Sequence, residues 1–156
     1  MESLLLHGHY EVALDSKNRI GIPVDVRRRI KPEIHGKDFF LTLGQNRRPW
    51  LYPDKLFEEL VAGVKTELAP SREAAEFDRL LGLAQFVEVD SQNRITIPTR
   101  FLGWLGMQET KEYFLVGARC RLELWKADWN HERESLAEHS QEIVERARQQ
   151  SVQPVH

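Results

Sequence analysis

Cysteine is nearly missing from this chain. A single residue, Cys120, among 156 rules out an internal disulfide, so packing must hold the fold, and the scarcity suits a reducing compartment. No apolar run approaches the roughly 20 residues of a membrane-spanning helix. Residues 1–7 lack a basic leader, and their apolar run is short for a signal peptide. No membrane segment and a cytoplasmic location are therefore expected. A surplus of positive charge is also lacking: 22 Lys and Arg stand against 24 Asp and Glu, which argues against a protein coated with basic residues. Enzyme signatures are absent too, with no Gly-rich phosphate loop, no His-Glu-x-x-His and no nucleophile elbow. His7 and His9 would share a strand face, but His131, His139 and Cys120 bring no further ligand near them in sequence, so neither metal nor cofactor is expected.

What the chain has is a nine-residue stretch written twice. Asp15-Ser16-Lys17-Asn18-Arg19-Ile20-Gly21-Ile22-Pro23 returns 75 residues later as Asp90-Ser91-Gln92-Asn93-Arg94-Ile95-Thr96-Ile97-Pro98. A period that long signals duplication of a small domain, not a solenoid. Asp-Ser-x-Asn is turn chemistry: Asp accepts backbone N–H bonds two residues on, and Asn tolerates left-handed backbone. Tyr10, Val12 and Leu14 alternate before the first turn, and Ile20 and Ile22 after it, so a strand enters and a strand leaves until Pro23 ends it. The turn displays Arg19, with Lys17 beside it; the second displays Arg94, with neutral Gln92.

Asp-x-x-x-Arg followed by Ile-x-Ile-Pro, in two copies, resembles the MraZ family of bacterial transcription regulators, which carry two SpoVT-AbrB-type repeats. The likeness extends over roughly residues 7–145. Each copy continues through a short helix to an apolar strand and an aromatic-ended strand, at 39–43 and 50–52, then at 113–116 and 122–125. One departure is that Asn18 and Asn93 stand where the family usually has Gly; both residue types reach positive φ. The resemblance implies a swapped-hairpin barrel. It further implies closed homo-oligomers, rings of about eight or twelve subunits, and repression of the cell-wall and cell-division operon from repeated promoter boxes.

The rest of the chain arranges itself around the repeats. Residues 7–54 form the first repeat, 55–82 a helical connection and 83–126 the second repeat; a C-terminal helix follows over 127–148, then a disordered tail over 149–156. In the connection, Leu56, Leu60 and Val64 keep helical spacing. Ser71 caps a second helix carrying Ala74, Phe77, Leu80 and Leu81. After residue 126, Trp129, Leu136 and Ile143 recur every seven residues, a narrow stripe that packs one seam. Each repeat is too small to stand alone. The expected fold is therefore α+β, mainly β: two tandem βαββ-type repeats interlocked into one pseudo-twofold β-barrel with flanking helices, of the swapped-hairpin, AbrB-like kind that the resemblance implies.

Charge is uneven along the chain. Residues 1–52 carry an excess of three positive charges, 53–83 an excess of three negative, 84–125 balance, and 126–156 carry an excess of two negative. A phosphate binder needs a local field, because salt screens beyond about 10 Å. If one repeat meets nucleic acid more directly, charge favours the first. Arg19 and Arg94 suit phosphates or a guanine edge, where a planar fork bonds two acceptors. Asp15, Asp90 and Asn93 then shape the turns, with Lys17, Asn18, Arg27 and Arg28 as further DNA contacts. The bland alternative is an Asp–Arg pair that only closes a turn, and an arginine run that is only a solvated face. Paired Asp acids need no catalytic role once the turns account for them.

The reading is a non-enzymatic, double-stranded DNA-binding transcription regulator, nucleoid-associated. The competing reading is an antitoxin-like module on the same barrel, whose C-terminal segment would wrap a protein partner.

Overall fold

The computed structural model describes residues 3–106 and 111–151, in one compact unit ending at Trp125 and a second beginning at Lys126. The first unit opens with β1 (His9–Ala13), β2 (Arg19–Gly21), α1 (Val24–Arg29), α2 (Pro32–His35), β3 (Phe39–Leu43) and β4 (Pro49–Pro53). Then come α3 (Asp54–Ala62), α4 (Arg72–Leu80), β5 (Gln85–Val87), β6 (Arg94–Thr96), α5 (Thr99–Leu105), β7 (Glu112–Gly117) and β8 (Leu122–Trp125). Pro23 and Pro98, at φ −57 and −59, stand at the N-caps of α1 and α5, where a ring-fixed φ costs no hydrogen bond. Ile30 ends α1 in an extended conformation, and Pro32 opens the separate α2, its missing N–H being one the first turn leaves unused.

Six antiparallel strands form a sheet in the order β1-β7-β8-β4-β3-β5, and β2 pairs with β6 in a separate two-stranded sheet. Exchanging the repeats, β1 for β5 and so on through β4 for β8, reverses the long sheet onto itself. The entry strand of each repeat lies against the other repeat: β1 on β7 and β5 on β3. Neither repeat completes a sheet alone, as their small cores led one to expect.

The expected closed barrel is not found. Closure would require β1 and β5 to ladder with β2 and β6. Instead β2 and β6 are three residues long and pair with each other. Among the described residues neither ladders with the entry strand of its own repeat; the chain bonds back at the turn, through Asp15 N–H to Arg19 O (3.0 Å) and Asp90 N–H to Arg94 O (2.9 Å). The proline after each short strand prevents it from extending further. The open edges stay short: β5 has three residues, and β1 carries exposed His9 and Glu11, which is how natural edges avoid unwanted pairing.

Apolar side chains from both repeats share one core, including Leu6, Ile20, Phe39, Leu41, Leu51, Ile95, Phe101, Tyr113, Leu115 and Leu122. Polar Asp38 is buried within this unit. It exchanges bonds with Asp54, accepting from Asp54 N–H at its carbonyl (2.9 Å) and donating N–H to Asp54 Oδ1 (3.2 Å). Its own Oδ1 accepts Val89 N–H at 2.9 Å.

In the second unit two helices, α6 (Trp129–Glu138) and α7 (Ser140–Ser151), replace the single helix expected over 127–148. His139 leaves helical geometry at φ −107, ψ 19, and its ring Nδ1 lies 2.9 Å from Ser135 O, the carbonyl that also accepts its backbone N–H at 3.0 Å. The break interrupts the seven-residue stripe between Leu136 and Ile143. Helix α7 covers the start of the expected disordered tail, 149–151; residues 152–156 lie outside the described residues. Among the described residues no helix is long and apolar enough to cross a membrane.

Candidate nucleic-acid interface

Both repeated turns are built by one aspartate each. Asp15 Oδ1 accepts the N–H of Lys17 and of Arg19, each at 2.9 Å. Asp90 Oδ1 accepts those of Gln92 and Arg94, each at 2.9 Å. Asn18 and Asn93 return N–H bonds of 3.0 Å to the Asp carbonyls and sit at φ 61 and 60, the left-handed region Asn visits more readily than most residues. The second carboxylate oxygen takes the arginine side chain: Nε to Oδ2 is 2.8 Å for Arg19–Asp15 and 3.0 Å for Arg94–Asp90. The arginine backbone N–H is the main reason each carboxyl titrates below its ordinary value; burial opposes it, and the guanidinium and the N–H of Lys17 or Gln92 add smaller lowering effects.

The structural Asp–Arg pair is therefore present in both turns, and it leaves the arginines available. Pairing occupies Nε alone; among the described residues neither terminal nitrogen of Arg19 or Arg94 has a hydrogen bond. The two side chains are 25% and 28% exposed. Held by the aspartate, each guanidinium is pre-oriented while half its fork stays open.

The pairing of β2 with β6 joins these two turns. Ile20 lies opposite Ile95, Arg19 opposite Thr96 and Gly21 opposite Arg94. The isoleucines are buried. Alternation therefore turns Arg19, Gly21, Arg94 and Thr96 to the outer face. Arg19 and Arg94 are diagonal neighbours there, with backbones roughly 7–8 Å apart. Ile22 N–H binds Asn93 O and Ile97 N–H binds Asn18 O, each at 2.8 Å, so each turn is tied to the strand leaving the other.

The remaining candidates are less concentrated. Lys17 is exposed beside the first turn. Arg27 donates Nε–H to Ile22 O at 3.2 Å and lines a cavity of about 330 Å³ with Asp90 and Asn93, so α1 of the first repeat borders the second turn. Arg28 lines a different cavity, with Leu6, His7 and Tyr10, and lies 4.0 Å from Asp25 in an exposed pair; among the described residues no hydrogen bond or ion pair joins it to either turn.

Three residues of the site escaped the reading of the sequence as two separate tips. Thr96 and Gly21 stood out only as differences between the copies, although strand alternation alone places them beside the arginines. Asp38 carries no motif. Its Oδ1 bond to Val89, the residue before Asp90, holds the entrance to the second turn, whereas the matching Leu14 N–H binds the Lys111 carbonyl at 2.8 Å.

Comparison with known proteins agrees with this duplicated architecture. The family model for the MraZ protein, described as antitoxin-like, matches residues 5–79 and again 80–151. Proteins named transcriptional regulator MraZ are similar along most of their length. The one from Symbiobacterium thermophilum is 30% identical over 89% of this chain and 97% of its own. Those from Caldicellulosiruptor bescii and Limosilactobacillus reuteri are 33% and 31% identical, over 78% and 90% of this chain and 80% and 96% of theirs.

Proposed function

Because this chain belongs to the MraZ family, whose named members are transcriptional regulators and not enzymes, we propose that it binds double-stranded DNA sequence-specifically through the outer face of the β2–β6 ribbon. One observation carries the reading: pairing of β2 with β6 puts Arg19 and Arg94 on a single outward face, each guanidinium bonded to its aspartate through Nε. A two-stranded ribbon fits the major groove of B-DNA, and an arginine fork there bonds two acceptors of guanine. Asp15 and Asp90 fix the forks before contact, so little side-chain freedom is lost on binding. Lys17 and Arg27 supply phosphate contacts at either end of the ribbon, with Arg28 as an outlying one.

A single ribbon makes few contacts. Linking several through a closed homo-oligomer, such as a ring of about eight or twelve copies, raises affinity when the DNA carries boxes at matching spacing. The targets proposed are repeated boxes in the promoter of its own cell-wall and cell-division operon, which the protein represses from the cytoplasm, on the nucleoid.

The test is selection of duplexes by the wild-type protein from a random-sequence pool, followed by titration of the recovered duplex and a scrambled one at several salt concentrations. The expected result is a recovered consensus, preferential binding to it, and affinity that falls steeply with salt. Failure to prefer any duplex would refute the reading. The antitoxin-like description of the family favours one alternative, a protein-wrapping role for the chain after Trp125; co-purification of a stoichiometric small partner in place of DNA binding would support it.

A further inference from the structure

The two repeated stretches differ at two of nine positions, Lys17/Gln92 and Gly21/Thr96, and the ribbon gives each difference a place. Lys17 adds a cation beside Arg19. Gly21 lies directly across from Arg94, and Thr96 directly across from Arg19. The bonds from Ile22 to Asn93 and from Ile97 to Asn18 make Gly21–Arg94 and Arg19–Thr96 non-hydrogen-bonded pairs, in which facing side chains stand closest. Whatever occupies position 21 therefore sits immediately beside the Arg94 side chain.

Nothing in the fold asks for glycine there. Its φ lies outside the left-handed region, and a Cβ built on Gly21 would meet no atom within 4 Å. The residue is exposed and in a strand, where glycine weakens pairing relative to a β-branched residue. Thr96 shows that the equivalent position accepts one. A glycine that costs stability, fills no tight space and adopts an ordinary conformation leaves room for something outside the chain. Where no bulge or bend accounts for it, a strand glycine often marks a place that a ligand or another backbone approaches closely.

We propose that Gly21 is the approach site for the duplex and that the two arginines divide the work across the repeats. Arg94, beside bare main chain, reaches deepest into the groove and reads a base edge. Arg19, set beside Thr96 and reinforced by Lys17, holds phosphates. Base-edge contacts carry discrimination, whereas phosphate contacts carry general affinity and its salt dependence. Gly21 is then a specificity-determining residue supplied by the first repeat to the arginine of the second.

This inference rests on the DNA-binding reading, and one experiment separates the two. Wild type, Gly21→Ala and Gly21→Thr are titrated against the duplex selected by wild type and against a scrambled duplex, with thermal unfolding measured alongside. For Gly21→Thr the expected result is at least a tenfold loss on the selected duplex, less than a threefold change on the scrambled one, and a melting temperature equal to or above wild type. Gly21→Ala falls between. Unchanged binding of Gly21→Thr to the selected duplex overturns the proposal, as does an equal loss on both duplexes or a lowered melting temperature. If wild type itself prefers neither duplex, the DNA-binding reading fails and this inference falls with it.

Discussion

The two turns make a controlled comparison inside one molecule. Their hydrogen bonds agree to within about 0.2 Å, and both asparagines take the same left-handed φ. What differs lies around that shared frame. The first turn has Lys17 next to its arginine and is anchored at Leu14 by the main-chain carbonyl of Lys111; the second has Gln92 and is anchored at Val89 by the Asp38 carboxylate. A duplicated motif thus keeps the geometry that aims a guanidinium, while its neighbours change the charge around it and what fixes it in place. Because β2 and β6 pair, these differences meet on one surface, and the question of which repeat touches DNA becomes one of what each side of a shared ribbon contributes.

Removing both arginines should break the comparison outright. Arg19→Ala/Arg94→Ala is expected to lose specific binding altogether, each fork being worth about 1–3 kcal/mol of base discrimination or a charge-assisted phosphate bond, with no change in oligomer mass by light scattering. Next in size is Asp38→Ala, which leaves the half-buried Val89 N–H without its acceptor and should cost about 1 kcal/mol in denaturant unfolding. Hydrogen exchange should quicken more at Val89 than at Leu14, since only the second anchor is cut; equal quickening would show that the anchors are not independent. Lys17→Ala should weaken binding only a few-fold but reduce the slope of log affinity against log salt by about 0.9, the value of one phosphate contact, whereas Gln92→Ala should leave the slope alone.

The smallest effect expected is that of pH, and it should be the same for both turns. Asp15 and Asp90 have folded-state pKa values below the ordinary one, so the stability they add is fully present above the unfolded value of about 3.9 and disappears as pH falls through the lowered folded values. Carboxyl resonances followed by NMR should both titrate below 3.9. In Asp15→Asn the first turn's share of this acid sensitivity should vanish and the second turn's should remain.

Much of this was legible in the sequence because the informative interactions are local. Asp15 to Arg19 and Asp90 to Arg94 close within five residues, so residue type and spacing suffice to give turn, strand and displayed arginine. That the two repeats interlock followed from the small core of each half, since neither has enough apolar surface alone; that β1 and β5 are the strands exchanged did not. The fate of β2 and β6 was less legible. Period-two alternation gives Ile20 and Ile95 a buried face but does not say which strand lies alongside, and pairing with each other instead of with β1 and β5 leaves the sheet open. Asp38 was hidden for the opposite reason: its partner Val89 is 51 residues away, and a lone Asp before Phe39 resembles any surface acid. The interruption at His139 is a departure of one residue from helical φ and ψ, which leaves no mark on the seven-residue stripe.

The central claim is that Arg19 and Arg94 act on the same duplex from one ribbon. It is tested most directly by mobility-shift titration of wild type, Arg19→Ala and Arg94→Ala on a single selected duplex, with melting temperature and oligomer mass measured for each. The account predicts that each single variant loses at least tenfold in affinity with fold and assembly unchanged. Wild-type affinity in either variant would contradict it.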